Sequence, residues 1–196
     1  MYRVYDGTWG YDEHNPGYGD TRFAPFDDLI AGARVPTMYL AATETAAMLE
    51  TVLHDVHHMA GRAIYERDLL GKLLSRAEMP RVAVVADLRD PELSRLGIAR
   101  ESLTSSPAEH YPCTRRIAAE LHANTTPAID GMVWHSRQAE LAGVGQIEVL
   151  VLFGDRYPAG RGTWSLLPPG LSALYEGHGR LKLDEIAEVL SATIHP

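Results

Sequence analysis

One cysteine, Cys113, stands in 196 residues, which excludes an internal disulfide and any cysteine-built metal site. Long apolar runs are missing too: none approaches the roughly 18 residues that a membrane helix needs. The opening MYRVYDGTWGYDEHN carries neither the basic nor the apolar stretch of an export signal. The expectation is a cytoplasmic protein with no membrane partner. Positive charge is scarce. Eighteen Lys and Arg face 26 Asp and Glu, a formal charge of −8, which argues against a protein whose main business is gripping nucleic acid. There is no G-x-S-x-G elbow, no G-x-x-x-x-G-K-[ST] loop, no G-x-G-x-x-G after a strand and no H-E-x-x-H helix. The commonest serine-hydrolase, phosphate-loop, dinucleotide-fold and zinc-protease chemistries are therefore without a signature.

What is present is an ordinary globular composition, 45% hydrophobic and 22% charged, in a length that suits one domain with a real core. Tyr2 to Tyr5 reads as a strand, followed by a long loop rich in Gly and Pro. A loop of that length in a compact domain is commonly functional, and Phe23 and Phe26 beside Arg22 favour an ordered one. Thr37 to Ala41 suits a buried strand. Thr43 is a helix N-cap with Glu44 in the first turn, and Leu49, Val52, Leu53 and Val56 form an i, i+3, i+4, i+7 stripe, predicting a helix over about 44–58 stopped by Gly61. Further strands are expected at 81–88, 132–136 and 147–153, a helical turn at 91–96, and helices at 114–123 and about 182–192. Their irregular alternation, without internal repeats, predicts an α+β fold with mixed sheets, in one domain spanning 1–196.

Three places could carry chemistry. From Met1 to His58 only Arg3, Arg22 and Arg34 are basic against nine acidic residues, whereas 62–116 holds ten basic residues. Arg22 could pair with Asp20 or Asp27 at the surface, or hold a phosphate or carboxylate in its planar fork. Glu50 lies on a shoulder of the apolar stripe with Ala46, His54 and His57. Small Ala46 and Ala47 upstream leave room for its carboxylate to face a cavity, the ordinary alternative being exposure. Trp134 and Ser136, two apart in a strand, share a face and could line one pocket. The cluster His54-Asp55-Val56-His57-His58 offers histidines at helical spacing, but no third ligand is nominated and the expectation is no metal.

Taken together, Tyr2-Arg3-Val4, Gly19-Asp20-Thr21-Arg22-Phe23-Ala24-Pro25-Phe26, Val35 to Ala42 with Ala47 to Val56, and Asp130-Gly131-Met132-Val133-Trp134-His135-Ser136-Arg137 resemble the RES-domain family, named for an Arg, a Glu and a Ser. The matching segments span most of 2–153, with 154–196 as a closing segment of unread purpose, and the loop between Arg22 and Tyr39 reads longer than in compact members. The resemblance implies a largely antiparallel core similar to ADP-ribosyltransferases. It implies the toxin of a bacterial toxin–antitoxin pair that cleaves the nicotinamide–ribose bond of NAD by hydrolysis or phosphorolysis. No cofactor is required: NAD is the substrate, and inorganic phosphate is a possible co-substrate. Glu50, Arg22, Tyr39 and Ser136 match the catalytic positions, Arg3 and Arg22 would bind the diphosphate, and Tyr39, Trp134 and Ser136 would hold the nicotinamide side. An antitoxin covering the active site is the implied partner, and homo-oligomerisation stays open. The alternatives are a mono-ADP-ribosyltransferase acting on a protein and a non-catalytic interaction module.

Overall fold

A computed structural model describes residues 1–56 and 61–196. The chain is α+β. A mixed, mostly antiparallel sheet of seven strands runs in the order β10-β6-β1-β4-β9-β8-β7. In chain order these are β1 (Tyr2–Asp6), β4 (Thr37–Ala41), β6 (Lys72–Glu78), β7 (Val85–Asp87), β8 (Gly131–His135), β9 (Glu148–Phe153) and β10 (Ser165–Ala173). Only β7 and β8 pair in parallel within it. Two small pairs complete the strands among the described residues: β2 (Phe26–Asp27) with β3 (Arg34–Val35), and β5 (Ala63–Tyr65) with β11 (Thr193–His195).

Strand alternation sends side chains to two cores. On β4, Ala41 joins the larger core and Tyr39 packs on it, while Met38 and Leu40 enter the smaller one. The larger core is covered by α1 (Glu44–Leu49), α3 (Tyr111–Asn124), α4 (Arg137–Leu141) and α5 (Gly177–Leu190), through Met48, Ala118, Ala139 and Leu183 among others. Tyr157 and Trp164 cover the smaller. A short helix α2 (Glu92–Arg95) lies between β7 and α3. The closing segment is thus built into the fold, supplying cover for the second face, the edge strand β10 and helix α5. Among the described residues no helix is long and apolar enough to cross a membrane.

Several expectations change. The helix predicted over 44–58 is only Glu44–Leu49, with Glu50 as its C-cap and turns through Asp55. At Thr51 the pattern changes: its hydroxyl donates to Ala47 O at 2.6 Å, while its N–H donates to Met48 O at 3.2 Å rather than to Ala47 O. Leu49, Leu53 and Val56 are buried all the same. His57 and His58 lie outside the described residues. The strand expected at 81–88 shortens to Val85–Asp87. Arg81 grips the Asp130 carboxylate through two hydrogen bonds of 2.7 Å, and Val84 N–H donates to it at 2.8 Å, so the carboxylate, rather than a neighbouring strand, satisfies this segment. The next residue, Gly131, lets β8 close on β9: a Cβ there would sit 2.0 Å from Val151 O. The long loop after β1 contains the β2–β3 hairpin, turned by Asp28, which accepts from the N–H groups of Ile30 and Ala31.

Candidate active site

Two polar side chains line a small cleft beside β1 and β4, and two more stand close to them. Glu50 arrives as the C-cap of α1, Tyr39 from β4, Arg22 from the loop before β2, and Ser136 as the N-cap of α4. Tyr2, Tyr39, Ala47, Glu50 and Thr51 are among the residues lining the cleft, so small Ala47 does leave space beside the carboxylate.

Ser136 is fully buried, and its hydroxyl has one fixed arrangement. It accepts from Ala139 N–H at 3.0 Å, capping α4, and donates its only proton to Glu50 Oε1 at 2.5 Å. The serine that reads as a strand end is therefore a helix cap, and the cap aims the glutamate.

Arg22 is 7% exposed and makes neither surface pair expected of it. Asp20 pairs with Arg115 at 2.7 Å and Asp27 with Arg34 at 2.5 Å. The Arg22 guanidinium instead donates through Nη1 to Ser106 O (2.5 Å) and Ser106 Oγ (2.8 Å), and lies 5.3 Å from the centre of the Tyr111 ring. Burial lowers its pKa, against the opposing pull of Tyr111 and Glu50. Its backbone is fixed as well, since Thr114 Oγ1 donates to Arg22 O.

Tyr39 ties this loop to the sheet. Its hydroxyl accepts from Phe23 N–H at 3.1 Å and shares a hydrogen bond with Thr21 Oγ1 at 2.8 Å. The longer connection between Arg22 and Tyr39 therefore leaves the two adjacent, because its extra length loops out as the hairpin. Burial pushes the Tyr39 phenol up to about 12, so it stays protonated at neutral pH. Trp134 is 1% exposed and meets the rings of Tyr39 and Phe23 edge-on at 5.9 and 4.9 Å. It shares the Ser136 side of the sheet but supports Tyr39 from beneath rather than opening onto a pocket.

Arg3 is also among the residues lining the cleft, but its guanidinium is engaged elsewhere. In β1, Tyr2 and Val4 face the larger core, so Arg3 points to the opposite side, where it donates to Tyr11 O at 2.8 Å and Gly10 O at 3.2 Å. Burial lowers its pKa to about 10. Its observed work is to pin the Gly10–Tyr11 turn.

Tyr111 and Ser106, which touch Arg22, had no signal in the sequence, and Arg137 closes a matched segment without a role assigned to it. Tyr111 opens α3 directly before Pro112, and no spacing rule connects it to Arg22. Among the described residues one cluster has metal-ligating side chains, Asp28, His122 and Asp155. The two ring nitrogens of His122 face different carboxylates, at 3.2 Å (Asp28) and 2.9 Å (Asp155), so the ring bridges the two.

A mostly antiparallel α+β sheet thus brings a carboxylate, a protonated tyrosine, a buried arginine and a capping serine close together, the first two lining a cleft. The RES domain matches residues 2–164, and the chain belongs to the RES-domain family. No curated protein and no solved structure matched the chain.

Proposed function

We propose that the protein degrades NAD by breaking the bond between nicotinamide and ribose, as the toxin of a bacterial toxin–antitoxin pair. The family supports NAD-related chemistry at a coarse level. The observation that carries the finer reading is the Glu50 carboxylate, held 2.5 Å from Ser136 Oγ at the edge of a cleft that also receives Tyr39.

Nicotinamide in NAD is a cationic leaving group. As the C1′–N bond breaks, its electron pair goes to the ring nitrogen, and neutral nicotinamide departs without needing a strong acid. Positive charge develops on the ribose, and a fixed carboxylate stabilises it while accepting a hydrogen bond from a ribose hydroxyl. Glu50 has that role. Ser136 orients it, Tyr39 contributes its ring and holds the Arg22 loop through its hydroxyl, and Arg22 offers fixed positive charge to the diphosphate. Water or inorganic phosphate then bonds to C1′, giving ADP-ribose or its 1″-phosphate and releasing a proton. An antitoxin would act by covering the cleft.

The test is incubation of the purified protein with NAD, with and without phosphate, followed by identification of the products. Nicotinamide with free ADP-ribose, or with its phosphorylated form when phosphate is present, is the expected result. Intact NAD over well-folded protein overturns the proposal, and ADP-ribose attached to a protein would replace it with transfer.

A further inference from the structure

Two guanidinium groups approach a single carbonyl oxygen in the neighbourhood of Glu50. Arg22 Nη1 donates to Ser106 O at 2.5 Å, and Arg137 Nη1 reaches the same oxygen at 3.5 Å. Like charges placed this close repel, and Arg137 is among the groups that disfavour the charged form of Arg22, after burial itself. Glu50 is near enough to act on Arg22 but is engaged by Ser136. Among the described residues neither arginine forms an ion pair, in a protein where Arg81, Arg89, Arg100 and Arg180 all find carboxylates.

The donor inventory points the same way. A guanidinium carries five N–H donors. All hydrogen bonds from Arg22 leave through Nη1, and Arg137 makes one long bond. Among the described residues the remaining nitrogens of both side chains have no hydrogen-bond partner, and Arg137 is partly exposed. Ser106 O thus holds two positively charged forks side by side, with most of their donors unpartnered among the described residues.

We propose that Arg137, together with Arg22, forms a seat for a phosphoryl anion, and that its occupant is the diphosphate of the dinucleotide. This rests on the NAD reading for the identity of the occupant, and it gives Arg137 the place beside Arg22 that Arg3 does not fill. A tetrahedral anion accepts from both forks at once and removes their repulsion. Arg137 immediately follows Ser136, so the residue that aims Glu50 and the residue that seats the anion lie next to each other in the chain.

Arg137→Gln tests the seat, because the position is partly exposed and the amide keeps polarity and much of the length while losing the charge. Binding of ADP and of inorganic phosphate is measured by titration calorimetry, and NAD turnover is measured separately. The variant should bind ADP about 10-fold or more weakly, raise KM for NAD by a similar factor and leave kcat within about threefold. Arg137→Lys should recover part of the ADP affinity. If phosphate binding alone depends on Arg137, the seat stands and its occupant is the co-substrate. Equal ADP and phosphate binding by the variant and the wild type, or no binding of either by the wild type, overturns the seat. Arg137-dependent ADP binding without NAD cleavage would leave the seat standing and remove the NAD reading.

Discussion

Ser136 Oγ donates its single proton to Glu50 Oε1 across 2.5 Å while accepting from Ala139 N–H at 3.0 Å. One hydroxyl thereby links the start of α4 to the end of α1 and sets the direction of the site's carboxylate. Neither end of this link is a loop tip free to swing. α1 and α4 both pack on the larger core, through Ala46 to Leu49 and through Ala139.

Ser136→Ala separates the two duties of that hydroxyl. Loss of the cap should cost about 1 kcal/mol of stability, read by denaturant unfolding. Loss of the Glu50 contact should lower kcat roughly 10-fold or more while KM for NAD changes little, because the contact matters where charge develops on the ribose. A variant that loses stability but keeps full kcat would show that Ser136 is a cap and nothing more.

Tyr39→Phe should uncouple the Arg22 loop from the sheet. The Phe23 N–H loses its acceptor beside a fully buried side chain, which costs about 1–2 kcal/mol. The phenol also gives an alkaline signature. In the unfolded chain it ionises near 10 and in the folded protein near 12, so the unfolded state binds fewer protons in that interval and stability falls as pH rises through it. Unfolding measured between pH 9 and about 11.5 should show a smaller decline in Tyr39→Phe than in the wild type. Equal declines would contradict the buried, protonated phenol.

His14 governs the acid side. Burial, and then nearby Arg3, depress its pKa from 6.5 to about 4, and its Nε2 is buried without a hydrogen-bond partner. The unfolded chain binds the extra proton first, so stability is present above about 6.5 and is lost as pH falls toward 4. The loss should be on the order of 2 kcal/mol, and His14→Gln should remove most of it. Parallel stability curves for the two proteins from pH 7 to 4.5 would contradict this assignment.

The parts of the fold legible in the sequence are those whose pattern is local. β4, β8 and β9 are apolar runs beside turn residues, and the Thr43 cap announces α1 because its hydroxyl accepts from Ala46 N–H. The strand β10 was not legible because it contains Pro168 and Pro169, which cannot donate to a ladder. The fold places them on an edge strand, at a shift of register between Leu166 and Leu171. The end of α1 escaped notice because Leu53 and Val56 are buried from turns and so mimic helical spacing.

The site divides in the same way. Arg22, Tyr39, Glu50 and Ser136 stand in recognisable segments, and the fold brings them together. Arg3 matched a segment, but strand alternation turns it to the opposite face. Tyr111, Ser106 and Arg137 meet Arg22 through contacts 31 to 89 positions apart in the chain, which no local pattern encodes.

The central claim is that Glu50 carries the cleavage of NAD. Nicotinamide release should be followed for the wild type and Glu50→Gln side by side, with unfolding curves for both. The amide keeps an oxygen for Ser136 and removes the charge, so turnover should fall by about 100-fold or more while stability stays within about 0.5 kcal/mol. Nicotinamide release by Glu50→Gln at the wild-type rate would contradict the account.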